Sequence, residues 1–212
     1  MRVLKVALAI VPLHKFFCPH AGALYGRYTL LESLPAYKVR PAGDAAPDKF
    51  ETGTQSFEAL AGVTAAVDYL ASLGRRFGAK YRGEFPGFEG RRLDLKVAMA
   101  TIRTYERELC SKLVAGLSEI PGLHIYGITD PACFDQRVPT VSFTLDGLAP
   151  KEIAQRLDQA NIFVWDGHFY ALALIERLGW AQRGGVLRVG LAHYNTAEEV
   201  DTLLGLLADM PR

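Results

Sequence analysis

The chain has 212 residues, half of them apolar and 22% charged, with a formal net charge of +1. That length supports one large domain or two small ones around a real core, and the balance is that of an ordinary soluble globular protein. Near-neutral charge gives no reason to expect nucleic acid or an anionic membrane as partner; the basic pairs Arg75–Arg76 and Arg91–Arg92 read as solvated helix ends.

At the amino terminus, Arg2 and Lys5 before an apolar run imitate a secretory leader. Lys5 and Pro12 break that run, and no small-residue cleavage pattern follows, so the leader reading is rejected. Val3–Val11, rich in Val, Leu, Ile and Ala without alternation, predicts a strand buried on both faces, as in a parallel sheet. Ala23–Tyr25, between Gly22 and Gly26, predicts a short second strand. Prolines 35, 41 and 47 with Gly43 and Gly53 make residues 34–54 mostly loop. Phe57–Leu73 has helical spacing, with Gly74 at the place of a C-terminal cap. The punctuated stretch Gly78–Gly90 is the natural boundary between domains. Arg91–Ile120 then predicts a long amphipathic helix closed by Pro121-Gly122.

Strands and helices alternate after that. Strands are predicted at Leu123–Tyr126, Val138–Leu145, Ile162–Trp165 and Val186–Ala192. Helices are predicted at Lys151–Gln159, Ala171–Leu178 and Thr196–Ala208. The last helix opens with Thr196 as N-cap and Glu199 three residues on, a capping box. No segment is apolar for long enough to span a bilayer. The three cysteines, Cys18, Cys110 and Cys133, are too sparse and irregular for a disulfide framework and suit a reducing cytoplasm.

The richest chemistry lies in His14-Lys15-Phe16-Phe17-Cys18-Pro19-His20. A lysine after an apolar strand and before two phenylalanines has two readings. It snorkels at a strand end, or it sits in an apolar site where the free amine is favoured and can add to an aldehyde. His14, Cys18 and His20 also imitate part of a zinc site, but no matching fourth ligand pattern appears downstream. Gly53-Thr54 reads as a helix N-cap or as a turn whose N–H groups face an anion. Arg188 reads as a strand-edge ion pair or as a fork for a carboxylate.

The segment HKFFCPHAGALYGR resembles the lysine motif of the cysteine desulfurase / class V aminotransferase family of fold-type-I pyridoxal-phosphate (PLP) enzymes. The likeness continues through KFETGTQSFEALAGVTAAVDYLASLG and VWDGHFYAL to LRVGLAHYNTAEEVDTLL, in the family's order and over nearly the whole chain. It implies an α/β fold: the carboxy-terminal part of a fold-type-I enzyme. Residues 1–84 would be a remnant of the large PLP-binding domain, and 85–212 the small α+β domain.

It further implies pyridoxal 5'-phosphate as cofactor and an amino acid as substrate. Lys15 would be the Schiff-base lysine, with His14 beside it at the cofactor. Gly53 and Thr54 would bind the cofactor phosphate of the neighbouring subunit in a homodimer, with Gln55 nearby. Arg188 would bind the substrate carboxylate, and Tyr194-Asn195-Thr196 would turn the chain into the last helix.

Three departures bear on activity. The family's cysteine loop corresponds to Asp166–Leu172, which has no cysteine. His168 and Tyr170 there offer acid/base contacts or simply pack the loop, and Cys133 lies in a different loop. Cys18 stands where the family has glycine, a strain if that position needs positive φ. Only fourteen residues precede Lys15, whereas most of the large domain precedes it in the family. The expected function is therefore PLP-dependent lyase- or transaminase-type chemistry on an amino acid. The alternative is a non-catalytic fragment, or a half-enzyme needing a separate amino-terminal half.

Overall fold

A computed structural model of the chain describes residues 7–211. Its contacts divide the chain into two units, Met1–Ala98 and Met99–Arg212.

The first unit begins with strand β1 (Leu8–Pro12), a short 3-10 turn at Leu13–Phe16, and strand β2 (Gly22–Gly26). The strands pair antiparallel, Leu8 opposite Gly26 and Pro12 opposite Gly22. This corrects the expected doubly buried parallel strand. The connection over 13–21 is shorter than the dozen or so residues that a parallel crossover needs, and all of β1 but Ala9 is exposed. The Val3–Val6 part of that expected strand lies outside the described residues.

Helix α1 (Tyr28–Ser33) follows, then a long loop interrupted by a 3-10 turn at Asp48–Phe50. The loop is held by Lys49, whose buried ammonium donates to the carbonyls of Glu32 (2.9 Å) and Leu34 (3.0 Å) at the end of α1. Those carbonyls lack helical partners, so a cation there satisfies them and complements the helix dipole.

Helix α2 runs from Phe57 to Phe77, four residues past the expected end. Gly74 is not its cap; Gly78 is. A Cβ at Gly74 would overlap the carbonyl oxygen of Asp94, so the glycine serves close approach of α2 to the next long helix, α3 (Gly90–Ser118). Beside that approach, the Asp94 carboxylate takes Arg75 (3.1 Å) and Arg82 (3.0 Å).

The second unit takes the rest of α3 and adds strands β3 (Leu123–Tyr126) and β4 (Thr140–Leu145), helix α4 (Pro150–Gln159) and strand β5 (Trp165–Gly167). Helix α5 (Leu172–Arg177), strand β6 (Val186–Gly190) and helix α6 (Ala197–Ala208) complete it. The sheet order is β3-β4-β6-β5 with every pair antiparallel.

Period-two alternation gives this sheet two different faces. Val141, Phe143 and Leu145 of β4 and Leu187 and Val189 of β6 are buried in one cluster with Leu109, Leu113 and Leu117 of α3, Ile153 and Leu157 of α4, and Val200, Leu203 and Leu207 of α6. The helical members recur at three- and four-residue spacing, as a core-facing stripe requires. The opposite face carries Thr140, Ser142, Arg188 and Trp165.

Pro150 sits in the first turn of α4, where its missing N–H costs nothing. Asn161 ends the helix at φ 58°. The amide of Ile162 then reaches back to the Leu157 carbonyl and that of Asn161 to the Asp158 carbonyl, a Schellman stop. Ladder pairing starts only at Trp165, not at Ile162 as the sequence predicts. Ile162 and Val164 turn inward onto the core while Phe163 and Trp165 face out.

Candidate functional site

The sequence-predicted residues fall in two groups, one in each unit. In the first unit, Lys15 and His14 lie in the 3-10 turn after β1, and both are exposed. The apolar enclosure expected around Lys15 is not supplied by the described residues, because Phe16 is only half-buried and Phe17 is exposed. His14 stacks on His20, ring centroids 4.9 Å apart. The segment is fixed at its ends: the Leu13 amide donates to Ala21 (2.9 Å) and the Ala21 amide to Pro19 (2.7 Å).

Cys18 does not take the left-handed backbone that would strain it; that conformation occurs one residue earlier, at Phe17 (φ 70°). Strain therefore sits on a phenylalanine rather than on the residue replacing the family's glycine. Burial pushes the half-buried Cys18 thiol up from its ordinary value, which disfavours a reactive thiolate. Among the described residues, no group of three or more His, Cys, Asp and Glu side chains is placed to hold a metal.

Gly53 adopts φ 85°, a conformation that favours glycine, and the space beyond its Cα is open. Gly53 and Thr54 are exposed just ahead of α2, whose N-cap is Ser56. The lysine segment rests on that same helix, because a Cβ at Gly62 would overlap the Pro19 ring. One helix thus carries both the amine-bearing segment and the Gly-Thr turn. As a donor set, a free amine suits an aldehyde, and a hydroxyl with an open left-handed turn suits a phosphate. These residues therefore fit pyridoxal 5'-phosphate in chemical type.

In the second unit, Arg188 occupies the middle of the sheet's second face. Ser142 of β4 and Trp165 of β5 stand opposite it on either side. Its guanidinium lies over the Phe169 ring at 4.0 Å. No carboxylate pairs with it among the described residues. Thr140, Phe163, Val164, Trp165 and Gly190 complete an open cleft of about 430 Å³ around it. A half-buried guanidinium stacked on an aromatic face keeps its in-plane N–H fork available to a planar anion.

Phe169 reaches Arg188 from a strained loop. Gly167 has φ 120°, and Phe169 and Tyr170 stand at 52° and 62°, unusual for bulky residues. The loop is pinned where Gly185 (φ 92°) backs onto the Gly167 carbonyl, leaving no room for a Cβ. His168 lies in the same loop. Its Nδ1 accepts from the Tyr170 amide (3.2 Å), which places the proton of the neutral ring on Nε2. The Ala171 amide closes the turn onto the His168 carbonyl at 2.7 Å.

Sequence reasoning named Arg188 and His168 but not Phe169, Trp165, Phe163 or Thr140. The only available signal was the aromatic density of FVWDGHFY.

Just past β6, the signature Tyr194-Asn195-Thr196 does the structural work expected of it. Asn195 Oδ1 accepts from the Ala192 amide (2.8 Å). Thr196 and Glu199 exchange the two capping-box bonds, Glu199 amide to Thr196 Oγ1 at 3.2 Å and Thr196 amide to Glu199 Oε2 at 3.0 Å.

Comparison with known proteins places this geometry. The family model described as Aminotransferase class-V matches residues 91–203, more than half of the chain. A probable cysteine desulfurase of Mycobacterium leprae is 31% identical over 203 residues, covering 90% of this chain and 41% of the relative. A cysteine desulfurase of Synechococcus elongatus is 30% identical over 202 residues, covering 90% of this chain and 27% of the relative. The apo structure of a cysteine desulfurase from Thermococcus onnurineus superposes with a TM-score of 0.74 at 23% identity, covering 97% of this chain and 47% of that one. The chain thus spans less than half the length of these relatives, and its fold is that of the corresponding part of a fold-type-I PLP enzyme.

Proposed function

The chain belongs to the aminotransferase class-V family, and from that premise we propose that it serves PLP-dependent chemistry on an amino acid, of lyase or transaminase type. The observation that carries the reading is Arg188: half-buried, without a carboxylate partner among the described residues, and stacked on Phe169 so that its fork is free for a substrate carboxylate.

In this reading the Lys15 amine would hold the cofactor through its aldehyde and would serve as proton carrier at the substrate α-carbon. When bound, the cofactor supplies an aldehyde and a conjugated ring that draws electrons from that carbon. The Gly53–Thr54 turn donates its N–H and hydroxyl groups to a phosphate. His14 lies beside the cofactor, and His168 offers Nε2 as a proton donor near the substrate. A homodimer in which the turn of one subunit serves the other's phosphate is the matching assembly.

Persulfide relay is not part of the proposal. The segment Asp166–Leu172 has no cysteine. Cys133 is engaged elsewhere, with its thiol 3.7 Å from Asp130 Oδ2.

A second reading, favoured by the exposure of Lys15, is a half-enzyme or non-catalytic fragment whose cofactor site needs another polypeptide. Titrating the purified chain with pyridoxal 5'-phosphate and following the visible absorption separates the two. A band that a Lys15→Ala variant lacks, with borohydride reduction fixing the cofactor on Lys15 by peptide mass, supports the first. The same spectrum in both proteins, with no label on Lys15, overturns it in favour of the second.

A further inference from the structure

Resting on the reading of Arg188 as the carboxylate site, we propose that this cleft selects carboxylates with an aromatic or large apolar side chain. The amino-acid substrate would then be of that class rather than a small thiol-bearing one. The row Ser142–Arg188–Trp165 is set by strand register, so the indole and the guanidinium lie on the same face of the sheet. Phe163, two residues before Trp165, lines the same cleft.

Both rings are mostly open, Phe163 79% and Trp165 68% exposed. They stand next to a cation that holds no anion from the described residues. Exposed aromatic side chains around a converging polar group are the usual composition of a small-molecule site. The cleft volume of about 430 Å³ falls inside the roughly 300–1,000 Å³ range of such sites. A ligand held at Arg188 through its carboxylate has its side chain within reach of these rings. A phenyl or indole group would remove apolar surface from water on both partners, whereas a CH₂–SH group would leave most of both rings wet.

The strained Phe169 is already spent on the guanidinium, and His168 Nδ1 on its own loop amide. The Thr140 hydroxyl, at the other edge of the cleft, is left as a polar contact for the ligand's amino or carboxylate group.

The test uses two carboxylates that lack an amino group and so cannot react with a cofactor. 3-Phenylpropionate and propionate are titrated into the full chain by ligand-observed magnetic resonance. The wild type is expected to bind 3-phenylpropionate about tenfold more tightly, the scale set by burying one aromatic group. Trp165→Ala, with a Phe163→Ala partner, should reduce that ratio to about threefold or less and leave propionate binding unchanged. Both side chains are exposed, so neither change cuts into the core. Arg188→Gln should weaken both ligands together. Equal affinity for the two ligands with Arg188 dependence intact would overturn the aromatic preference alone, as would a ratio that survives both alanine variants. Binding that ignores Arg188→Gln would instead remove the carboxylate site on which the preference rests.

Discussion

Residues 99–212 bury Leu, Ile, Val and Phe side chains from the two central strands, β4 and β6, and three helices in one continuous cluster, whereas the first unit buries chiefly small residues. There the buried apolar set is Leu13, Leu70 and Val97 with Ala46, Ala66, Ala71 and Ala98. Ile10, Tyr25, Tyr28 and Phe57, by contrast, are more than half exposed. Among its described residues, the first unit draws on close helix approach and buried polar contacts: Gly74 against Asp94, Asp94 between two arginines, and Lys49 on the end of α1. The same family of sequence patterns has thus produced two kinds of cohesion. One is volume-driven. The other depends on a few backbone and charge contacts.

The largest expected effect tests the volume-driven unit. Phe143→Ala empties the centre of the sheet's core face and should cost about 3–5 kcal/mol. Denaturant unfolding followed by hydrogen exchange should show faster exchange in β4 and β6 and little change in α2. Uniform loss of protection across both units would break the comparison.

The intermediate effect tests close approach. Gly74→Ala drives a methyl group into the Asp94 carbonyl and should destabilise the first unit by about 1–3 kcal/mol, as overpacking does. The same substitution at Gly205, on the exposed side of α6 with open space around it, should stabilise slightly through helix propensity. Equal responses at the two glycines would refute the packing role of Gly74.

The smallest effect is in pH, and its sign differs between the units. Hydrogen bonds from Arg82, and then Arg75, hold the Asp94 carboxyl below its ordinary value. That stability is present above the ordinary carboxylate range and is lost as pH falls through the lowered folded value. Glu106 is the reverse: burial raises its carboxyl, only partly offset by a hydrogen bond from the His193 backbone. Its contribution is complete below the ordinary carboxylate range and is lost as pH rises through the raised folded value. Asp94→Asn should flatten the acid side of the first unit's stability profile. Glu106→Gln should flatten the opposite slope in the second. Melting curves between about pH 2 and 7, a span that reaches well to both sides of a carboxylate's ordinary value, read both.

How much was legible depended on whether the signal was local. Leu123–Tyr126 and the Thr196–Glu199 capping box fall where the sequence puts them, because alternation and a cap are decided within a few residues. Gly74 looked like a helix end because a glycine near the end of a helical pattern usually is one; what it meets, Asp94, is twenty residues away. Val3–Val11 looked doubly buried because apolar runs carry no information about the partner strand or the layer above it. Cys18 was suspected of strain that the fold places on Phe17.

The site divides the same way. Lys15, Gly53, Thr54 and Arg188 could be singled out by residue type, spacing and family resemblance. Nothing local could show that Phe169 would cover the Arg188 guanidinium, since that contact depends on two consecutive left-handed residues and on the backbone of Gly185 against Gly167. By itself, the sequence determined the family, the order of helices and strands from α2 onward and the chemistry available, because these follow from periodicity, caps and residue identity. Tertiary structure decided which strand faces water, which glycine permits two helices to touch, and which aromatic rings surround the one arginine, because register and packing join residues that the chain keeps far apart.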